Sequence, residues 1–137
     1  MADVTVVANE VLPDSGTSNL IYGTFGATVT AGETVYLDSA TNTYKLADAG
    51  AASTAVCVGI AMNSGVSGQQ CTIAGTGSTI DPGFTVTVGT IYVLSNTAGK
   101  IAPAADLANP MKTVVLGVGI TASQLALRIY YSGATVA

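Results

Sequence analysis

Residues 88–106 read VGTIYVLSNTAGKIAPAAD, and residues 32–48 read GETVYLDSATNTYKLAD. Each passes from Gly to a β-branched residue and Tyr, then through an apolar run to Ser, a short polar turn, Lys, an apolar residue and Asp. Setting Tyr36 on Tyr92 gives an offset of 56 (92 − 36). Lys45-Leu46 then falls near Lys100-Ile101, Asp48 near Asp106 and Val58–Ala61 near Leu116–Gly119, with offsets of 55 to 58. The unit is strand, hairpin, strand, loop, strand, turn, strand, over about 32–76 and again over about 88–133. One such meander cannot bury both faces of its own sheet, whereas two can close a core. The expected fold is all-β: a small barrel or sandwich built from two similar β-meander halves, with little or no helix.

The rest of the chain agrees with that class. TVYL (34–37), VCVGIA (56–61) and the period-2 run FTVTVG (84–89) read as strands. QLALRIYY (124–131) places Leu125, Leu127, Ile129 and Tyr131 on one face of a strand and Gln124, Ala126, Arg128 and Tyr130 on the other. PDSG (13–16), SATN (39–42), NSGVSG (63–68), DPG (81–83), SNTAG (95–99) and SG (132–133) supply turn residues. The one helical turn expected is PAADLA (103–108), with Pro at its first position. VCVGIAM and QQCTIAG pair across NSGVSG with Cys71 opposite Ile60, which puts Cys57 on the other face and leaves two free, buried thiols.

Residues 1–28 stand outside the repeat, as an N-terminal leader or arm ahead of a β domain at 29–137. They carry Leu12, Leu20, Ile21, Tyr22 and Phe25, a cluster expected to contact another chain. Val4, Val6 and Val11 as an integral first strand is the alternative.

Composition narrows the chemistry. Only 9% of the 137 residues are charged, net charge is −4, and mean hydropathy is +0.54. The longest apolar runs, 54–62 and 113–122, are short of the roughly 20 residues of a spanning helix, so no membrane partner is expected. The N-terminus has no basic region of a signal peptide, which points to synthesis in a cytoplasm. Four scattered basic residues cannot displace counterions from phosphates, so no nucleic-acid partner is expected. Histidine is absent, which removes His-activated nucleophiles and the commonest metal ligand. Asp38, Asp48, Asp81 and Asp106 sit beside turns, where a carboxylate bonds nearby backbone amides. No catalytic residue, cofactor or metal site is expected, and the protein reads as a non-enzyme.

The DPG…TVGT-x-YVLS…G-x-IAPAAD run, with GETVYLDSATNTYKLAD, VCVGIA and VVLGVGIT, resembles the small capsid decoration (cement) proteins of tailed bacteriophages over roughly residues 27–122. That resemblance implies a β-rich structural virion protein on the outer capsid surface. It would bind major capsid protein at subunit junctions and stabilise the shell as a homo-oligomer, with a trimer favoured and a dimer possible. A head-fibre or tail-fibre base module, or a carbohydrate-binding module of the virion surface, is the alternative.

Overall fold

A computed structural model of the protein describes residues 3–13, 19–107 and 111–135. Eleven strands form in chain order: β1 (Val11–Pro13), β2 (Leu20–Thr24), β3 (Thr34–Asp38), β4 (Thr43–Leu46), β5 (Cys57–Ala61), β6 (Gln70–Gly75), β7 (Thr79–Pro82), β8 (Ile91–Leu94), β9 (Ile101–Pro103), β10 (Lys112–Thr121) and β11 (Gln124–Thr135). The only helical pieces among the described residues are two 3₁₀ turns, Ala8–Glu10 and Ala104–Asp106. Pro103 caps the second from outside rather than opening it.

The strands make two antiparallel sheets, one ordered β2-β6-β5-β3-β4 and the other β1-β7-β11-β10-β8-β9. Without β1 the orders correspond strand for strand: β2 to β7, β3 to β8, β4 to β9, β5 to β10 and β6 to β11. The fold is therefore two copies of one five-stranded unit, which adds β2 and β7 to the four strands expected in each repeat. The first copy begins at β2, inside the stretch expected to be a leader. A chain cut at residue 27 would lose that strand.

Hydrogen bonds give the true spacing. Glu33 N–H donates to Thr30 O and Thr90 N–H to Thr87 O, each at 3.1 Å, around Gly32 (φ 92°) and Gly89 (φ 81°). Both are turns whose third residue needs positive φ. Gly32 N–H donates to Ala61 O, and Gly89 N–H to Gly119 O. The hairpins repeat the spacing: Val35↔Leu46 and Leu37↔Tyr44 against Tyr92↔Pro103 and Leu94↔Ile101. The positive-φ turn residues Asn42 (55°) and Gly99 (79°) follow it too. The offset through both hairpins is 57 (89 − 32; 92 − 35; 99 − 42). The expected match of Tyr36 with Tyr92 is thus off by one. Tyr36 corresponds to Val93, and Tyr92 to Val35. Tyrosine can serve on either face, whereas a positive-φ position is restricted, so the turns and not the aromatics hold the alignment.

Gly59 and Gly117 do correspond. A Cβ on Gly59 would strike the Ala74 carbonyl oxygen, and one on Gly117 the Ala126 carbonyl oxygen. Both lie where β5 and β10 shift register against their neighbours.

Two cores result. Val35, Ala61, Cys71 and Ile73, with Phe25 and Val29, fill the concave side of the first sheet, which curls until Phe25 bridges Tyr44 of β4. Cys57, Ile60 and Ala74, from its other side, pack with Ile80, Tyr92, Leu94, Leu116, Leu125 and Leu127 of the second sheet. The alternation expected for QLALRIYY holds at Leu125 and Leu127. The N-terminal run crosses the second sheet's open side: Val4 N–H donates to Ile101 O, Val7 N–H to Gly83 O, and β1 pairs with β7.

Several local expectations are corrected. FTVTVG is not a ladder strand; Val86 N–H donates to Ala122 O, and the chain then turns at Gly89. SG (132–133) is not a turn, because β11 runs through it. Ala74, not Cys71, lies opposite Ile60, and Cys71 lies opposite Gly23. Residues 25–29 hold the 62–69 loop open through Phe25 N–H to Gln69 O and the Val29↔Gly65 bridge, which displaces the simple hairpin register. The turn expected at PDSG falls largely on residues 14–18, outside the described residues.

Gly89 separates conformation from packing, since nothing lies within 4 Å of an added Cβ. Gly89→Ala is expected to lose about 1–2 kcal/mol from its φ alone. Gly59→Ala and Gly117→Ala are expected to lose clearly more, because the carbonyls they strike belong to the ladder. Urea unfolding of the three variants checks this; equal losses would contradict it.

Candidate functional site

β2 decides how the expected contact residues are presented. Its side chains alternate, with Ile21 and Gly23 facing the concave core and Leu20 and Tyr22 facing away. Gly23 has no side chain because the Tyr44 ring occupies that space, 2.6 Å from where a Cβ would stand. Tyr22 is 65% exposed and Leu20 also stands out in solvent. Leu12, on edge strand β1 opposite Asp81, is 53% exposed. Phe25 is the correction: it is fully buried, packs with Val35 and Ile73, and has its backbone held by Gln69 and Gly68. Ile21 is half-buried against the same core. Sequence clustering could not separate these five because the pleat of β2 sets Ile21 apart from Leu20 and Tyr22, and the chain beyond it carries Phe25 into the core.

Other exposed apolar side chains lie outside the expected set. Leu37 is next to last in β3, Ile91 begins β8, Val88 sits in the Gly89 turn, Ile120 is near the end of β10 and Tyr130 is on β11. Ile91 lies directly opposite Val118. The signal for Leu37 and Ile91 was in the sequence, but only in the 57-residue alignment, which sets Leu37 on Leu94 and Thr34 on Ile91.

The aspartates hold turns. Asp38 Oδ1 accepts from Ala40 N–H (3.0 Å), Asp48 Oδ1 from Gly50 N–H (2.9 Å) and Asp81 Oδ1 from Gly83 N–H (3.1 Å), each two residues on. Asp38 also takes Lys45 Nζ at 2.7 Å across the first hairpin. Lys100 reaches Glu33 at 3.7 Å, which links the two halves. No group of three or more Cys, Asp or Glu that could hold a metal ion converges among the described residues. Among them no helix is long and apolar enough to cross a membrane.

The Lys45 hydrogen bond, helped by the Ala40 amide, lowers the Asp38 pKa, and the Asp38 hydrogen bond raises that of Lys45. Stabilisation from Asp38 is present above the carboxyl's unfolded pKa and lost as pH falls through its lower folded value. That from Lys45 is present below the ammonium's unfolded pKa and lost as pH rises through its higher folded value. Asp38→Asn is expected to flatten both limbs slightly in thermal melts across pH; an unchanged profile would count against the pair.

Burial pushes the Cys57 thiol up to about 12 and also raises Cys71. Both are free, and each belongs to a different core. The reactive thiolate is suppressed in the fold. Iodoacetamide at mildly alkaline pH is expected to leave the native protein unlabelled and to label both cysteines in urea; rapid native labelling would refute the burial.

No protein-family model matches the chain, and no curated protein matches it.

Proposed function

We propose that the protein is a structural component of a tailed-phage particle. It binds the outer capsid surface at junctions between major capsid subunits, acts as a homo-oligomer, and stabilises the shell by added protein contact. The observation that carries this reading is the placement of large apolar side chains, Leu20 and Tyr22 on β2 and Leu12 on β1, in solvent on hydrogen-bonded strands. Strands hold such side chains in fixed positions, which suits a repeated, geometrically defined contact. The scarcity of charge, 9% of residues, lets such a surface approach another closely with few ions to desolvate. Copies repeated over a symmetric shell add modest contacts into high avidity. The resemblance of residues 27–122 to decoration proteins supports a phage capsid as that shell.

Cosedimentation with purified empty heads of the phage that carries the protein tests the reading. Saturable binding at a copy number that matches the capsid lattice is expected. Leu20→Glu with Tyr22→Glu is expected to weaken binding at least about a hundredfold, since a charge would be buried at each contact, while the melting midpoint stays near that of the parent. A few copies per particle would favour a fibre base, and no binding would overturn the capsid role.

A further inference from the structure

The ladder registers set the two units row against row. Leu20, Ala74, Ile60 and Thr34 stand side by side across the first sheet, and Thr79, Ala126, Val118 and Ile91 stand in the equivalent row across the second. In the first row Ala74, Ile60 and Thr34 are fully buried, and Ala74 and Ile60 pack with Tyr92, Leu94, Leu125 and Leu127 of the second sheet. The equivalent row has no such cover among the described residues: Val118 is half-buried and Ile91 is 48% exposed. It is nonetheless the more apolar at its end, with Ile91 where the covered row has Thr34. A β-bulge at Val115–Gly117 brings Val115, half-buried, to the side of Val118, opposite Tyr130, which is 65% exposed. The second sheet thus turns outward the same face that the first sheet buries.

The rest of the molecule limits what a second copy could bring to this face. Within the chain such a face is covered by the inner side of a unit, and both inner sides are filled. Phe25 and Val29 occupy the first, and Ile60 and Ala74 of the first sheet occupy the second. The remaining surface of this kind is the outer face itself. Its charges are self-complementary. Asp81 follows the buried Ile80 on β7 and so points outward, and Arg128 lies between Ala126 and Tyr130 on β11. A two-fold axis lying in the interface midway between them sets each acid towards the base of the other copy. The size is also suitable. β10 and β11, ten and twelve residues long, with β7 and β8 beside them, present on the order of 500 Å² in projection at about 3.3 Å per residue and 4.8 Å per strand. Side-chain relief adds to that, and specific stable interfaces take roughly 600–1,000 Å² from each partner.

We infer that two copies of this chain pack through the outer faces of their second sheets about a two-fold axis, with Ile91, Val115, Val118 and Tyr130 in the contact. An isologous contact of this kind closes at two molecules. It gives the homo-oligomer of the proposed function a face and a symmetry. Head binding through Leu20 and Tyr22 is measured in a separate assay, so either reading can fail alone.

Analytical ultracentrifugation of the purified protein over a concentration series tests it. The parent is expected to pass from monomer to dimer and to stop there. Ile91→Glu and Tyr130→Glu, both at exposed positions, are each expected to weaken dimerisation at least about a hundredfold, with circular dichroism checking that the variants fold. Arg128→Glu is expected to weaken it too, and Arg128→Lys to restore it. Leu20→Glu with Tyr22→Glu, on the other unit, is expected to leave the dimer intact. A monomeric parent, a trimer or open series, a dimer indifferent to Ile91→Glu and Tyr130→Glu, or a dimer lost in the Leu20 and Tyr22 variant would each overturn the contact. Should Ile91→Glu fail to fold, Tyr130→Glu and the Arg128 pair decide it.

Discussion

Gly99 lies between the amide of Thr34 and the carbonyl of Ala47, where the chain's own β3–β4 ladder would otherwise run on. The second half enters the first through this wedge. It requires positive φ and the absence of a side chain at one residue, and glycine meets both. Around it Leu94, Ile60 and Ala74 join one apolar layer, and Lys100 reaches Glu33 at the rim. The layered arrangement, with one core inside the first unit and another between the sheets, follows from which face of each unit this wedge leaves covered.

A duplication joined in this way is asymmetric by construction. The same residue class does different work in each copy. Val35 lines the concave core of the first sheet, and its counterpart Tyr92 fills the layer between the sheets and donates nothing to the first core. The Tyr92 hydroxyl accepts from Thr87 N–H at 3.0 Å, and its ring meets Phe84 edge-on at 5.3 Å. The N-terminal run supplies what the second unit lacks, pairing with β7 and reaching Ile101 of β9. Val6 and Val11 fit there because Gly32 and Gly83 present no side chain to them. Val11–Pro13 and Leu20–Thr24 thus belong to the two sheets, and Phe25 to the first core, rather than to an arm.

The proposed role draws on surfaces rather than on a constellation of reactive groups. Asp38, Asp48 and Asp81 are engaged in turns, and the thiols are buried in separate cores. What distinguishes the surface is large apolar side chains held by ladders, at Leu20 and Tyr22 on one unit and at Ile91 and Ile120 on the other. Rigid presentation means that little ordering entropy is lost when such groups are covered.

The chain's own pattern was enough for the all-β class, the duplication and the turn role of Asp38, Asp48 and Asp81, because each depends on local features: period-2 alternation, positive-φ residues and short polar turns. Register was beyond it. Matching Tyr36 to Tyr92 differs by one residue from the hydrogen-bonded correspondence, and a shift of one exchanges the two faces of a strand. Phe25 and Leu20 are equally apolar neighbours in sequence, yet one is enclosed and the other exposed, since β2's pleat and the closing bridge to Tyr44 sort them. Which turn is seated between the halves, and hence which apolar residues face solvent, depends on how two similar units meet. That choice is made by contacts between residues more than 50 positions apart (99 − 34 = 65; 99 − 47 = 52 for the wedge itself), a separation at which local pattern carries no record of partner or face.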